Sequence, residues 1–356
     1  MKQYTAIGLM SGSSLDGVDL AYCRFIEVDK KWQFDILSSD CIAYPVSMID
    51  RLRKAPSMSG LELYQLDVDL GHFLGEIIQY FRQKNKIDTL DFVVSHGHTI
   101  FHFPSNKLTT QIGDGAAIAS HTQTKVITQF RNLDVALGGQ GAPIVPIGEH
   151  YLFSDFNCFL NLGGIANISF HQGKKIIGFD VCAANQVLNY LANKLDLPYD
   201  KNGDIAKSGK IDTALLNSLN KLIFFSQAPP KSLDNGFSKN EILPLLDTSN
   251  TSIADLLATV SEHIASQIAE AIKSFSITPL QHIYATGGGA YNLDLIQRIE
   301  AKTSLKVVIP NNHIVEYKEA LIIAFMGVLR LCEIPNVWCS ASGASRDSIN
   351  GTIYQG

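Results

Sequence analysis

The sequence has no excess of positive charge. Of its 356 residues, 29 are Lys or Arg and 34 are Asp or Glu, which gives a formal net charge of −5. A protein that binds nucleic acid needs a basic face to neutralise phosphates, so we expect no nucleic-acid partner. Small phosphates are different, because backbone N–H groups and one magnesium ion can hold them without such a face.

Long apolar runs and paired cysteines are also missing. No apolar stretch approaches the ~18–20 residues of a membrane span, and the first residues enter a strand-like run without a signal-peptide pattern. The six cysteines form no C-x-x-C pair and have no zinc-like spacing, which is typical of reduced, mostly buried thiols. We therefore expect a cytoplasmic protein with no membrane partner. The sequence leaves open whether the chain forms a homodimer.

Two segments about 150 residues apart share one pattern, an apolar strand, a small-residue or glycine turn and a second strand. The first begins at residue 7 and the second at residue 159. Each would open an α/β half, so the pattern predicts a duplicated domain. We place the crossover in the glycine-rich loop 130–146. The predicted domains are residues 1–130, completed by the tail at about 336–356, and residues 131–335.

Apolar spacing predicts the remaining elements. Helical periodicity predicts helices over residues 63–81, after Ser252 and over 318–332, and short apolar runs predict strands at 92–94, 126–127, 176–179 and 282–285. Ser252 with Asp255 three residues later resembles a capping box.

Three small-residue turns follow apolar strands, at residues 11–14, 162–165 and 286–290. Backbone N–H groups at such turns can point at one oxyanion, and glycine lets a ligand approach closely. None fits the P-loop pattern or the dinucleotide fingerprint, which disfavours a P-loop enzyme and a dinucleotide oxidoreductase.

Three carboxylates lie near these turns. Asp16 and Asp19 have two interpretations, acids that solubilise a hairpin or groups that order magnesium near phosphates. Asp180 ends the run at 176–179. It is either the cap of the next helix or a general base.

Seven segments, taken together, resemble the anhydro-N-acetylmuramic acid kinase family. In order they are residues 8–19 (GLMSGSSLDGVD), 95–99 (SHGHT), 111–114 (QIGD), 130–143 (FRNLDVALGGQGAP), 161–168 (NLGGIANI), 229–232 (PPKS) and 286–290 (TGGGA). That family belongs with actin, hexokinase and the heat-shock chaperone ATPases. The resemblance therefore implies two related ribonuclease H-like α/β domains with an interdomain nucleotide cleft, the actin-like ATPase fold.

The resemblance also implies a reaction with ATP and Mg²⁺. The family cleaves the 1,6-anhydro bridge of anhydro-N-acetylmuramic acid with water and phosphorylates O6. The product, N-acetylmuramic acid 6-phosphate, belongs to peptidoglycan recycling. An acetal oxygen leaves poorly unless something accepts its charge, which is why glycosidases use a carboxylic acid. Here the γ-phosphoryl group can be the acceptor, so one carboxylate base for the attacking water suffices.

Site residues follow from the resemblance by position. Asp180 is the implied base, and Glu319 lies where the family has a cleft-facing acid. The implied phosphate and metal residues are Gly12, Ser13, Ser14, Leu15, Asp16, Gly17, Val18 and Asp19, with Asp16 nearest magnesium. Gly163 and Gly164 would give a second phosphate contact, and Gly287, Gly288 and Gly289 would contact adenosine. The implied sugar contacts are His96, His98, Thr99 and Asn185.

One segment departs from the family pattern. Where the family reads Phe-Asp-Thr-Gly-Pro-Gly-Asn, residues 179–185 read FDVCAAN. The Gly-Pro-Gly bend is replaced by residues that do not easily adopt positive φ. In addition, His98 stands in place of a Gln. A paralogous kinase for a related amino sugar is therefore the first alternative.

Three other interpretations involve the same residues. His96, His98 and His102 could form a metal site of a hydrolase, but Gly97 suggests that the strand has ended and no acid follows at metal spacing. Cys182 could be a nucleophile, but no nearby His would activate it. A non-catalytic actin-like nucleotide switch would keep the turns but would need neither Asp180 nor a sugar-contacting His.

Overall fold

The computed structural model describes residues 2–12, 15–173, 175–229, 231–233, 236–275 and 280–356. By its internal contacts the chain divides into two compact units. The first unit is Met1–Ser154 with Tyr317–Gly356, and the second is Asp155–Glu316.

The first unit combines a mixed sheet, a small two-stranded sheet and helices. Its strands are β1 (Lys2–Ser11), β2 (Val18–Val28), β3 (Lys31–Ile42), β4 (Phe92–Ser95), β5 (His98–Phe103), β6 (Leu108–Ile112), β7 (Lys125–Thr128) and, near the C-terminus, β13 (Thr352–Tyr354). Its helices are α1 (Val46–Lys54), α2 (Gly60–Lys84), α3 (Gly115–Thr122), α4 (Asn132–Ala136), α5 (Val145–Leu152), most of α12 (Asn312–Leu331) and α13 (Cys339–Ser342). Ser59 and Glu62 form the capping box that begins α2.

The second unit is a five-stranded sheet with helices. Its strands are β8 (Cys158–Leu162), β9 (Ile165–Gln172), β10 (Lys175–Ala183), β11 (His282–Thr286) and β12 (Lys306–Val308). Its helices are α6 (Asn185–Asn193), α7 (Asp204–Ser208), α8 (Thr213–Asn220), α9 (Leu243–Asp247), α10 (Ile253–Phe275) and α11 (Leu293–Thr303). The predicted helix after Ser252 is α10, and the Ser252 hydroxyl accepts a hydrogen bond from the Asp255 N–H at 3.2 Å.

The two sheets have the same topology. The order is β3-β2-β1-β4-β7 in the first, with β13 added beyond β7, and β10-β9-β8-β11-β12 in the second. In the first sheet β2 is antiparallel to both of its neighbours, β1 and β3, and β4 and β7 run parallel to β1. In the second sheet β9 is antiparallel to both β8 and β10, and β11 and β12 run parallel to β8. The predicted duplication into two ribonuclease H-like α/β domains is confirmed.

The division between the units differs from the predicted boundaries at residues 130 and 335. The helix α5 belongs to the first unit, where a Cβ on Gly148 would lie only 2.4 Å from Ile322 of α12. The helix α12 in turn lies against β1, since a Cβ on Gly8 would lie 2.0 Å from the Ala320 carbonyl oxygen. The strand β13 pairs with β7 of the first unit.

Each sheet buries its own apolar core. In the first unit Ile7, Leu9 and Leu20 pack with the buried face of α2, and in the second Leu160 and Ile168 pack with α10. Among the described residues, no helix has the length and apolarity needed to span a membrane. All six cysteines are free thiols, and Cys23, Cys158 and Cys182 are buried.

Candidate functional site

In the second unit the two glycine turns and the start of α6 meet. The Asn185 backbone N–H donates to the Gly163 carbonyl at 3.1 Å, and its side-chain amide donates to the Leu162 carbonyl at 3.1 Å. A Cβ on Gly289 would lie 2.8 Å from Leu162. The structure thus brings Gly163, Gly287–Gly289 and Asn185 together, and glycine is required where the two turns touch.

Asp180 lies in a polar row across the ends of three strands. Asn161 of β8 is paired with Asn167 of β9, and Asn167 is paired with Asp180 of β10. Directly paired residues of neighbouring antiparallel strands share a face of the sheet. A bulge at Val181 follows at once, because Asp180 and Cys182 are paired with consecutive residues of β9. Bulges of this kind re-aim a side chain and are frequent beside active sites.

The Asp180 carboxylate is held on one oxygen. Oδ2 accepts hydrogen bonds from the Ser232 hydroxyl at 2.8 Å and from the Leu233 N–H at 2.9 Å. The Asp180 N–H donates to the Lys231 carbonyl at 3.1 Å. No residue in the described ranges forms a hydrogen bond with Oδ1. Asp180 is a residue of β10 and not the N-cap of α6, which is Ala184.

The segment that replaces the Gly-Pro-Gly bend continues β10 to Ala183. Val181, Cys182, Ala183 and Ala184 are all buried, and none of them has positive φ. Burial raises the pKa of the Cys182 thiol well above its usual range, so it stays protonated. Positive φ is not needed here, because the chain continues as a strand to Ala183 instead of bending.

In the first unit, Ser11 at the end of β1 binds one of the predicted sugar-contacting histidines. The Ser11 hydroxyl lies 2.8 Å from His98 Nδ1, and the Tyr44 hydroxyl donates to Ser11 Oγ at 2.7 Å. All three side chains are buried. Burial lowers the pKa of His98 and raises the pKa of Tyr44 to about 12, which keeps both groups neutral at neutral pH.

His96 is bound to an arginine that the sequence interpretation left without a role. Arg131 Nε donates to His96 Nε2 at 2.9 Å, and Arg131 Nη1 donates to the Gly141 carbonyl at 2.6 Å. His96 Nδ1 lies 3.0 Å from the Gly97 carbonyl. These contacts require the neutral tautomer with its proton on Nδ1. Burial, together with Arg131, lowers the pKa of His96 to about 3.

Glu319 and Arg131 are electrostatic partners in the first unit. Burial lowers the pKa of Arg131 to about 10, and Glu319 opposes that shift. Burial by the surrounding protein raises the pKa of Glu319, and nearby Asp19 adds to this, whereas Lys318 and Arg131 oppose it. Solvent still reaches the Glu319 side chain, so screening limits the shift.

The structure describes the first turn only in part, because Ser13 and Ser14 lie outside the described residues. The Leu15 N–H donates to the Gly12 carbonyl at 3.4 Å, and Leu15 has a φ of 61°. A Cβ on Gly17 would lie 2.7 Å from the Ile42 carbonyl, so β2 begins in contact with β3 at Val18.

The carboxylates of this turn suit a magnesium ion that keeps most of its water. Asp16 is exposed, and Asp19 forms a hydrogen bond with Cys41 and interacts electrostatically with Glu319. Magnesium prefers oxygen ligands and is usually held by one or two carboxylates plus phosphates and water. Within the described residues there is no group of three or more His, Cys, Asp or Glu that could hold a metal by itself. His96 and His98 instead bind different partners.

The remaining predicted sugar contact, Thr99, is exposed and accepts a hydrogen bond from the Gln111 side chain at 3.3 Å. Sequence reasoning missed Arg131, Tyr44 and Ser232. Arg131 and Ser232 both lie inside segments that carried the family resemblance, and that position was the sequence signal that could have identified them. Tyr44 lies in no such segment, so no sequence signal indicated it.

Two sheets of identical strand order, each opened by a strand–turn–strand unit with polar residues at the turn, define the class of actin-like ATPases and sugar kinases. Within that class, the chain belongs to the anhydro-N-acetylmuramic acid kinase family, because the family model matches residues 4–356.

Curated relatives match over nearly their whole length. An anhydro-N-acetylmuramic acid kinase from Vibrio vulnificus (strain CMCP6) is 30% identical, with 98% of this chain and 97% of that protein covered. Another from Mannheimia succiniciproducens is 33% identical, with 99% of each covered. Among solved structures, the activator of 2-hydroxyisocaproyl-CoA dehydratase from Clostridium difficile with bound ADPNP has a TM-score of 0.47 and 13% identity, covering 94% of this chain and 99% of that one.

Proposed function

We propose that this protein opens the 1,6-anhydro bridge of anhydro-N-acetylmuramic acid with water and transfers the γ-phosphoryl group of ATP to O6. The product is N-acetylmuramic acid 6-phosphate, an intermediate of peptidoglycan recycling. Membership of the kinase family over residues 4–356 supports the reaction. The observation that carries the assignment of a base is the Asp180 carboxylate, whose Oδ2 accepts two hydrogen bonds while Oδ1 accepts none from the described residues.

In this reaction each bond that breaks is matched by a bond that forms. Asp180 accepts a proton from water while the water oxygen attacks C1 of the sugar. The C1–O6 bond breaks, and the electron pair on O6 attacks the γ-phosphorus. The bond between the γ-phosphorus and the bridging oxygen breaks, and ADP leaves. The charge on O6 is neutralised by the phosphoryl group, so no separate acid has to protonate the leaving oxygen.

Residues of the three turns would hold the nucleotide. We assign Gly12–Val18 and Gly163-Gly164 to the phosphates and Gly287–Gly289 to the adenosine, since backbone N–H groups at glycine turns bind anions without a basic surface. Asp16, with Asp19 nearby, would hold magnesium through water. When bound, magnesium supplies neutralisation of phosphate charge.

The histidines of the first unit suit the hydroxyl groups of a sugar. Ser11 orients the neutral His98 through Nδ1, so its Nε2 atom can exchange a hydrogen bond with a hydroxyl group without bringing charge. The two ring nitrogens of His96 already face Arg131 and the Gly97 carbonyl, so His96 would line the sugar site through its ring carbons. Thr99 and Asn185 are further candidates for sugar contacts. Glu319, whose pKa is raised, is proposed as the second catalytic acid. Six free thiols support a cytoplasmic location.

A coupled assay of ADP release tests the substrate. Purified protein with Mg-ATP would be given anhydro-N-acetylmuramic acid, N-acetylmuramic acid, anhydro-N-acetylglucosamine and N-acetylglucosamine. We expect turnover with the first sugar to exceed the others by at least tenfold. Faster turnover with a plain amino sugar would show that the protein is a paralogue, for which the buried segment 181–184 would be the starting point. No sugar-dependent ADP release would indicate a nucleotide switch.

A further inference from the structure

The segment Lys231–Leu233 surrounds the backbone and carboxylate of Asp180 with three hydrogen bonds. The Lys231 carbonyl accepts from the Asp180 N–H, and the Ser232 hydroxyl and the Leu233 N–H both donate to Oδ2. Three consecutive residues therefore fix both the main chain and the side chain of one residue of β10.

This segment is itself anchored by the Lys231 side chain. The Lys231 ammonium donates to the Phe224 carbonyl at 3.2 Å and lies 4.5 Å from the centroid of the Phe224 ring and 5.8 Å from that of Phe179. A carbonyl acceptor combined with aromatic faces stabilises a desolvated cation. Burial lowers the pKa of Lys231, and these contacts keep its position defined.

We propose that Ser232 is a positioning residue for the reaction, and that the Lys231–Leu233 segment orients Asp180 so that Oδ1 is the oxygen that receives the proton from water. The inference rests on the proposed role of Asp180 as the base. Two donors on Oδ2 stop rotation of the carboxylate. The other oxygen has no hydrogen-bond partner within the described part of the chain and is free to receive a proton.

Loss of the Ser232 hydroxyl should act on turnover and not on nucleotide binding. Ser232→Ala removes one of the two donors that fix Oδ2, so the carboxylate can rotate away from its orientation. Poorer orientation of the base should lower kcat roughly tenfold. The KM for ATP should stay within twofold, because Ser232 does not belong to the glycine turns.

Matched variants separate positioning from general damage. Ser232→Thr keeps the hydroxyl and should restore kcat. Ser226→Ala changes an exposed serine nearby, whose hydroxyl donates to the Ile223 carbonyl at 2.8 Å, and should change neither. Lys231→Met should lower kcat in the same direction as Ser232→Ala. Circular dichroism and thermal melting would show that every variant is folded.

The experiment measures kcat and the KM values for ATP and sugar for the four variants and for Asp180→Asn. The inference is overturned if Ser232→Ala keeps the kcat of the unaltered protein while Asp180→Asn is inactive, a result that leaves the proposed function standing. If Asp180→Asn retains full activity, the proposed base is wrong and the inference falls with it.

Discussion

Asp180 occupies in the second sheet the position that Cys41 occupies in the first. The hairpin that opens each sheet ends in a last residue pair, which is Ser11–Val18 in the first sheet and Leu162–Ala166 in the second. One pair before that end, the residues paired across the first three strands are Met10, Asp19 and Cys41 in the first sheet and Asn161, Asn167 and Asp180 in the second. The duplication thus conserves the backbone and changes the chemistry. A thiol is found in one half where a carboxylate is found in the other.

The first prediction concerns the reactivity of Cys41. Burial and a hydrogen bond with Asp19 raise the pKa of this thiol to about 12, although part of it is exposed. Because only the thiolate reacts, alkylation by iodoacetamide at pH 8 should be at least ~10-fold slower than that of glutathione. Asp19→Asn should accelerate it, and Asp35→Asn, on the same sheet but paired with Arg24, should not. Mass spectrometry of the labelled peptide follows the rate, and rapid labelling of the unaltered protein would contradict the assigned contacts.

The second prediction concerns Gly8. Any side chain there would collide with Ala320 and Ala324 of α12, so Gly8→Ala should lower the free energy of unfolding by about 2–3 kcal/mol. It should also lower kcat, because α12 carries Glu319. Gly60→Ala is the control, since a Cβ at Gly60 meets nothing within 4 Å and alanine favours the helix. Urea denaturation and the ADP assay give the two readouts, and equal stability of the two variants would refute the close packing of β1 on α12.

The third prediction concerns pH and His96. The pKa of His96 is about 3 in the folded protein, against about 6.5 in an unfolded chain. Between these values only the unfolded state binds this proton, so the free energy of unfolding falls as pH decreases from about 6.5, by up to about 1.4 kcal/mol per pH unit. His96→Gln should remove the contribution of this one proton, so the free energy of unfolding should fall less steeply with decreasing pH than in the unaltered protein. Urea denaturation at pH 7.5, 6.5 and 5.5 measures the slopes.

The fourth prediction concerns Asp134, a fully buried carboxylate in α4, the helix that follows Arg131. It accepts hydrogen bonds from the Gly141 N–H at 2.7 Å and the Ser342 hydroxyl at 2.6 Å. Asp134→Ala leaves both donors unpaired and should cost about 3 kcal/mol of stability or more, and Ser342→Ala about 1–2 kcal/mol. The double variant should cost less than the sum. Additive losses in thermal or chemical denaturation would show that the two residues are not coupled.

Apolar periodicity located most central elements of the fold, because buried strands and amphipathic helices leave strong patterns. Residues 7–10, 63–81 and 282–285 all fall within elements of the predicted type. The strand β3 was missed although its first half carries the signal, since Trp32, Phe34 and Ile36 alternate with more exposed residues. The pattern is lost after residue 37, where the second half of the strand is defined by its pairing with β2.

The family segments indicate candidate site residues but not the contacts between them. Gly163, Asn185 and Gly289 meet in the folded second unit. Arg131 and Ser232 lie in such segments, yet folding brings them to His96 and Asp180 from 35 and 52 residues away along the chain. Neither spacing nor composition indicates such pairs, because each depends on the final register of the sheet and its loops.

The most direct test of the account is a paired measurement on Asp180→Asn, which keeps the size of the side chain and removes the base. Opened sugar and ADP would be quantified in the same samples by chromatography, and nucleotide affinity by calorimetry. We predict that both products fall together by roughly 10²–10⁴-fold, while the affinity for Mg-ATP changes by no more than a few-fold. Unchanged ADP release in the presence of the sugar, or full ring opening without phosphorylation, would contradict the central claim.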